Sequence, residues 1–183
     1  MKILNLHGYK GSSENCACTT LCEMGFEVLS PELEYDNCLP EEILQTLDKA
    51  VTQNNIDLIV GTSLGGFYGA VLSARTKLPA IFINPCLMPF VYLPRLGFQM
   101  STDPFIPLFG ELINIDKQNF SVIVGGKDEI IDSHDFTENF FANERFRIVP
   151  DGKHSGATLP LKEYFTDVIS CYSKEKNDKR CYF

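Results

Sequence analysis

Six short apolar runs punctuate the chain: KILNLH (2–7), FEVLSP (26–31), DLIVG (57–61), AIFIN (80–84), SVIVG (121–125) and RFRIV (145–149). Most are unbroken stretches of Val, Ile, Leu and Phe, the pattern of strands covered on both faces. Between them lie helix-like stretches near 13–24, 40–54, 64–76, 133–142 and 160–171. The second opens with Pro40, suited to the first helical position, followed by Glu41 and Glu42, which suit the positive end of a helix dipole. Strand and helix in alternation predict a three-layer α/β sandwich around a mainly parallel sheet of about six strands.

One segment breaks the alternation. Residues 84–110 hold five prolines among many aromatic and aliphatic side chains. Interior prolines remove hydrogen bonds, so this cannot be one long helix. Leaving the C-terminal end of a strand, it would cross the region where such sheets bind ligands. A structural loop with a short helix and a small lid over a pocket both fit. From Ser173 onward the charged tail shows no element pattern and is expected to fray, leaving residues 1–172 as one domain.

Composition narrows the function classes. An apolar fraction of 44% over 183 residues is that of a globular chain with a substantial core. A net charge of −8 argues against a nucleic-acid surface, which needs clustered Lys and Arg. No basic segment leads into a long apolar run, and no stretch approaches a membrane span, so a cytoplasmic protein is expected. Seven cysteines then read as reduced thiols. The CACTTLC stretch (16–22) matches no common zinc spacing and reads better as small positions on a helix; no metal is expected.

The chemistry centres on LIVGTSLGGF (58–67). Gly61, Ser63 and Gly65 form G-x-S-x-G between a predicted strand and a predicted helix, the setting of a serine nucleophile on a tight turn. A phosphate loop is excluded because no lysine follows Gly66, and the dinucleotide fingerprint fails because position 63 is serine. Serine needs a base, and the chain has three histidines. His7 ends the first strand and His134 opens a helix, where it would be solvated. His154, in PDGKHSG after the last strand, is best placed to face the serine. Asp128, first after the glycine turn of SVIVGGKDEIID, is the preferred orienting acid; Glu129 and Asp132 stand close behind it. The order Ser63, Asp128, His154 is that of α/β-hydrolases. An oxyanion site would take the backbone N–H of Leu64 and, from LHGYKGSS, that of Tyr9, with Gly8 permitting close approach.

The segments LNLHGYKGSS, LIVGTSLGGFYGA, IFINPCLMPF, GGKDEIID and DGKHSG, in this order over residues 2–170, resemble the small YqiA/YcfP-type predicted esterases. HG and GxSxG are shared by all α/β-hydrolases, whereas S-L-G-G-[FY]-Y and I-N-P-x-x-x-P discriminate more. The resemblance implies an α/β-hydrolase fold without the first two strands of larger relatives. It also implies Ser63 as nucleophile, Asp128 as acid and His154 as base. Met88 stands where the family often has arginine, and Gly156 where phenylalanine usually follows the histidine-serine pair. The expected activity is hydrolysis of a small carboxylic ester or thioester through an acyl-enzyme, without cofactor. Phe90, Tyr92 and Leu93 would line an apolar acyl pocket. An acyltransferase on the same residues, or a binding protein that has kept the fold and lost turnover, are the alternatives.

Overall fold

The computed structural model describes residues 1–141 and 145–180, with side chains described through Tyr172 apart from those of 142–144. Six strands form one sheet in the order β2-β1-β3-β4-β5-β6. They are β1 (Lys2–Leu6), β2 (Glu27–Leu29), β3 (Leu58–Thr62), β4 (Ala80–Ile83), β5 (Phe120–Gly125) and β6 (Phe146–Val149). Every neighbouring pair is parallel. The helices are α1 (Cys16–Glu23), α2 (Pro40–Asn54), α3 (Leu64–Thr76), α4 (Pro89–Tyr92), α5 (Phe105–Glu111), α6 (Asp135–Phe140) and α7 (Leu161–Arg180).

The unbroken apolar runs are explained by two cores, one on each face of the sheet. Leu4, Leu6, Ile59, Phe82, Val122 and Val124 point to the face covered by α2, α3 and α5. Their strand neighbours Ile3, Leu58, Val60, Ile81, Ile83 and Ile123 point to the other, where α1 and α7 supply Ala17, Leu21, Phe165 and Tyr172. Helices α2 and α3 begin and end where the sequence places them. The first helix starts three residues later than expected, because the Asn15 side chain accepts from Cys18 N–H and caps it there. In α1 the Cys16 and Cys22 side chains are exposed and Cys18 is half-buried, while Ala17 and Leu21 face the core. Helix α7 runs on to Arg180; the last three residues of the tail expected to fray, 181–183, lie outside the described residues.

Segment 84–110 resolves into α4, a 3-10 turn at Pro94–Leu96 and the start of α5. It packs into the core: Leu93 is fully buried, and Phe98 and Phe105 meet edge to face. Lys10 Nζ donates to Leu96 O (2.8 Å) and Tyr9 meets Phe98 edge to face, which ties the segment to the loop after β1.

The crossover that matters for function is at β1. The chain leaves β1 toward β2 on one side, then returns to place β3 on the other. A crevice opens beyond the strand ends where the order reverses. The loop after β1 and the turn after β3 meet there.

Candidate active site

The turn after β3 is built around a strained serine. Ser63 has φ 53° and ψ −119°, a conformation that non-glycine residues seldom adopt. Its backbone is pinned on both sides: Ser63 N–H donates to Ile83 O (2.9 Å), and Ser63 O accepts from Gly66 N and Cys86 N (2.9 Å each). The flanking glycines are required by neighbouring backbone. A Cβ on Gly61 would stand 2.4 Å from Gly65 O, and one on Gly65 would stand 2.3 Å from Leu6 O. A Cβ on Gly8 would come within 2.9 Å of Ser63 Cβ, so the loop after β1 lies directly against the serine.

Ser63 Oγ is 3.0 Å from His154 Nε2. The other ring nitrogen, His154 Nδ1, lies 2.9 and 3.0 Å from the two Asp128 carboxylate oxygens. Since a carboxylate only accepts, Nδ1 carries the proton and Nε2 is free to accept from the serine hydroxyl. Three residues from three separate strand ends therefore form one hydrogen-bonded line. Glu129, the near neighbour of Asp128, instead accepts from His154 N–H (3.2 Å), and Asp132 pairs with Arg95 (3.0 Å).

Asp128 is almost fully enclosed, with 1% of its side chain exposed. Burial by itself would push its carboxyl up. Hydrogen bonds from His134, His154 and the Ile131 N–H overcome this and hold it well below the usual carboxylate range. A depressed folded-state value stabilises the fold fully above about pH 4, the ordinary carboxylate value, and that contribution is lost as pH falls through the folded value. Asp128→Asn is therefore expected to lose stability less steeply than wild type between pH 5 and pH 2.5. Urea midpoints across that window check this, and parallel wild-type and variant curves would contradict it.

The loop after β1 owes its shape to His7, which is 2% exposed. His7 Nε2 accepts from Leu33 N–H (2.9 Å), so Nδ1 is the donor, to Gly8 O (2.8 Å). Gly11 N–H donates to the same carbonyl (3.0 Å). In a trans peptide the C=O and N–H point opposite ways, so holding Gly8 O turns the Tyr9 N–H away from these partners. Among the described residues, no acceptor takes the backbone N–H of Tyr9 or of Leu64. The Tyr9 phenol is itself engaged with Asp36 (2.8 Å); burial and that carboxylate push it up to about 12.

Two residues that the sequence reading passed over hold the site together. Asn84, fully buried at φ 44°, donates from Nδ2 to Lys153 O (2.9 Å) and His154 O (2.8 Å). Its Oδ1 accepts from Gly125 N–H (2.7 Å), so one side chain joins β4, β5 and the His154 loop. The signal was the I-N-P motif: a polar residue at the end of an apolar strand. His134, expected to be solvated, instead places Nε2 at 3.1 Å from Asp128 Oδ2 with 11% of its side chain exposed. Cys86, next to the serine turn, is no rival nucleophile, since burial and the Asp128 charge push its thiol up to about 12.

The described cavity beside the serine is not lined by the side chains expected to form an acyl pocket. A cavity of about 340 Å³ does adjoin Ser63 and His154, but it opens toward α1 and is lined by Gly8, Gly11, Ser12, Asn15, Cys16 and Gly156 among others. Phe90 packs on Phe109, Tyr92 donates to Ser133 O (3.3 Å), and Leu93 lies in the core; none lines this cavity. Tyr92 packs with Cys86 and Ile131 in a small cluster of its own. No group of three or more His, Cys, Asp or Glu that could hold a metal ion occurs among the described residues. No helix among them is long and apolar enough to cross a membrane.

Sheet order, crossover crevice and strand–turn–helix serine define an α/β-hydrolase fold, and solved structures of that fold superpose over nearly the whole chain. A structure described with LipS and LipT, two metagenome-derived lipolytic enzymes, gives a TM-score of 0.72 at 14% identity, covering 94% of this chain and 93% of that one. MGS-MChE2, an α/β hydrolase from a metagenome of lagoon sediments at Mar Chica, Morocco, gives 0.66 at 14%, covering 96% and 92%. The esterase RhEst1 from Rhodococcus sp. ECU1013 gives 0.60 at 11%, covering 94% and 90%. The chain belongs to the uncharacterised protein family UPF0227, whose family model matches residues 2–103. This is the YqiA/YcfP family that the motifs resemble. The match takes in the loop after β1 and the serine turn, and ends before Asp128 and His154.

Proposed function

We propose that the protein is a serine hydrolase of carboxylic esters or thioesters. The observation that carries this is the line Ser63 Oγ, His154 Nε2, His154 Nδ1, Asp128, with contacts of 3.0 and 2.9 Å and the tautomer set by the carboxylate. His154 takes the serine proton as Oγ attacks the acyl carbon, and the Asp128 carboxylate stabilises the imidazolium that forms. The Tyr9 and Leu64 N–H groups, otherwise without acceptors among the described residues, take the oxyanion. His154 then returns the proton to the leaving alcohol or thiol. Water, activated by the same ring, resolves the acyl-enzyme. Lipolytic enzymes and an esterase among proteins of the same fold support the class of reaction.

The cavity narrows the substrate. About 340 Å³, with Tyr9, Ala17 and Leu161 beside the glycines and Ser12, suits a compact acyl group better than a long alkyl chain. A fluorophosphonate is expected to label Ser63, located by peptide mass spectrometry, whatever the natural substrate. With p-nitrophenyl esters, acetyl and butyryl substrates are expected to exceed decanoyl by roughly tenfold or more in kcat/KM. An unlabelled serine in folded protein would overturn the mechanism. Equal or faster decanoyl turnover would overturn only the compact pocket. Acyl transfer shows in the same assay as a new ester or amide when an alcohol or amine acceptor is added.

A further inference from the structure

Asp128 serves two histidines. Its Oδ1 accepts from the Ile130 and Ile131 N–H groups (2.9 and 2.8 Å), a local turn that brings the chain back on itself. Six residues on, His134 returns to the same carboxylate at Oδ2, on which His154 Nδ1 also converges. The carboxylate accepts, so His134 Nε2 is the donor. Its Nδ1 is buried and has no partner among the described residues. All of the ring's hydrogen bonding is therefore spent on Asp128, and a buried nitrogen is left bare to achieve it. If packing alone were the requirement, an apolar side chain would fill the space without that penalty.

We propose that His134 is a positioning residue, whose Nε2–H bond to Oδ2 orients the Asp128 carboxylate and draws off part of its charge, thereby setting the basicity of His154. The inference rests on the Ser63–His154–Asp128 reading for its catalytic consequence, though not for its effect on His154. A carboxylate with fewer donors attracts an imidazolium more strongly. Loss of the His134 bond thus raises the pH at which His154 titrates, and leaves a smaller fraction of free base near neutrality. Other charges face the two rings. Glu129 meets the His154 backbone, and Lys10 and Glu14 share its cleft. A cavity of about 460 Å³ beside His134 is lined by Asp132, Asp135 and Glu138, with Asp132 paired to Arg95. None of these is altered by substitution at 134.

The test uses His134→Phe and His134→Ala, which remove the donor, and His134→Gln, whose amide can restore it. With three histidines in the chain, 15N-histidine NMR can follow each ring through a pH titration, independently of activity. Phosphonate labelling of Ser63 is measured over the same range. In the Phe and Ala variants the His154 midpoint is expected to rise by roughly half a pH unit, with labelling at pH 7 slowed several-fold and the acid limb displaced upward. The Gln variant is expected to follow wild type. A His154 midpoint that is unmoved or lowered in a folded Phe or Ala variant would overturn the proposal. So would a Gln variant that behaves like Phe. A raised midpoint in a protein whose Ser63 never labels would uphold the positioning role and reject the hydrolase mechanism instead.

Discussion

Replacing Ser63 with alanine is expected to abolish phosphonate labelling and to lower ester turnover roughly 10⁴- to 10⁶-fold, with the protein still folded. His154→Ala should cost about as much, because base and nucleophile act as a unit and removing either disables both. Stability tells the same story from the other side. Ser63 is held at φ 53°, ψ −119°, where a side chain is strained by about 1–3 kcal/mol. Glycine adopts that conformation without strain, so Ser63→Gly is expected to be as inactive as alanine yet more stable than it, by about 1 kcal/mol. Urea denaturation of the two variants beside wild type checks this. A Ser63→Ala protein retaining a tenth of wild-type turnover would rule the serine out as nucleophile.

The second large effect is expected at a residue that touches no reacting atom. Asn84→Ala strips the partner from the Gly125 N–H and from the His154 carbonyl, leaves the Lys153 carbonyl only its longer bond from Thr158 Oγ1 (3.3 Å), and leaves alanine at φ 44°. Each unsatisfied buried group costs about 1–3 kcal/mol, so a loss of about 3 kcal/mol or more is expected. The loop that carries His154 then loses its anchor to the sheet. Labelling of Ser63, measured well below the variant's melting range, is expected to fall roughly 100-fold, since small displacements of a base have large kinetic consequences. A variant less stable by under 1 kcal/mol, with unchanged labelling, would show that other contacts hold the loop.

Much of the fold was legible because its determinants are local. Helices α2 and α3 begin where Pro40 and the serine turn dictate, and the unbroken apolar runs reported strands covered on both faces. The serine could be found because the tight turn between strand and helix demands glycines: a side chain at 61 would strike the Gly65 backbone inside the motif, and one at 65 the Leu6 and His7 backbone of the neighbouring strand. His154 and Asp128 could be proposed because each follows a strand, and parallel strands deliver their following loops to one edge of the sheet.

What escaped were pairings between distant segments. Asn84 reads as one polar letter at a strand end, yet it bridges positions 41 and 70 residues away. His134 looks like a solvated helix start, because the Asx turn at Asp128 that folds it back is set by burial of the carboxylate. Segment 84–110 has the composition of a lid, and composition cannot say whether aromatic side chains face a ligand or the sheet. The sequence alone determined the α/β alternation, the serine turn and the order of the chemical groups, since these follow from near-neighbour sterics and strand direction. Only the tertiary structure decided which carboxylate and which side chains hold the histidine, and on which side of the serine the cavity opens. Those depend on which groups compete for the same buried space once two layers of helices close over the sheet.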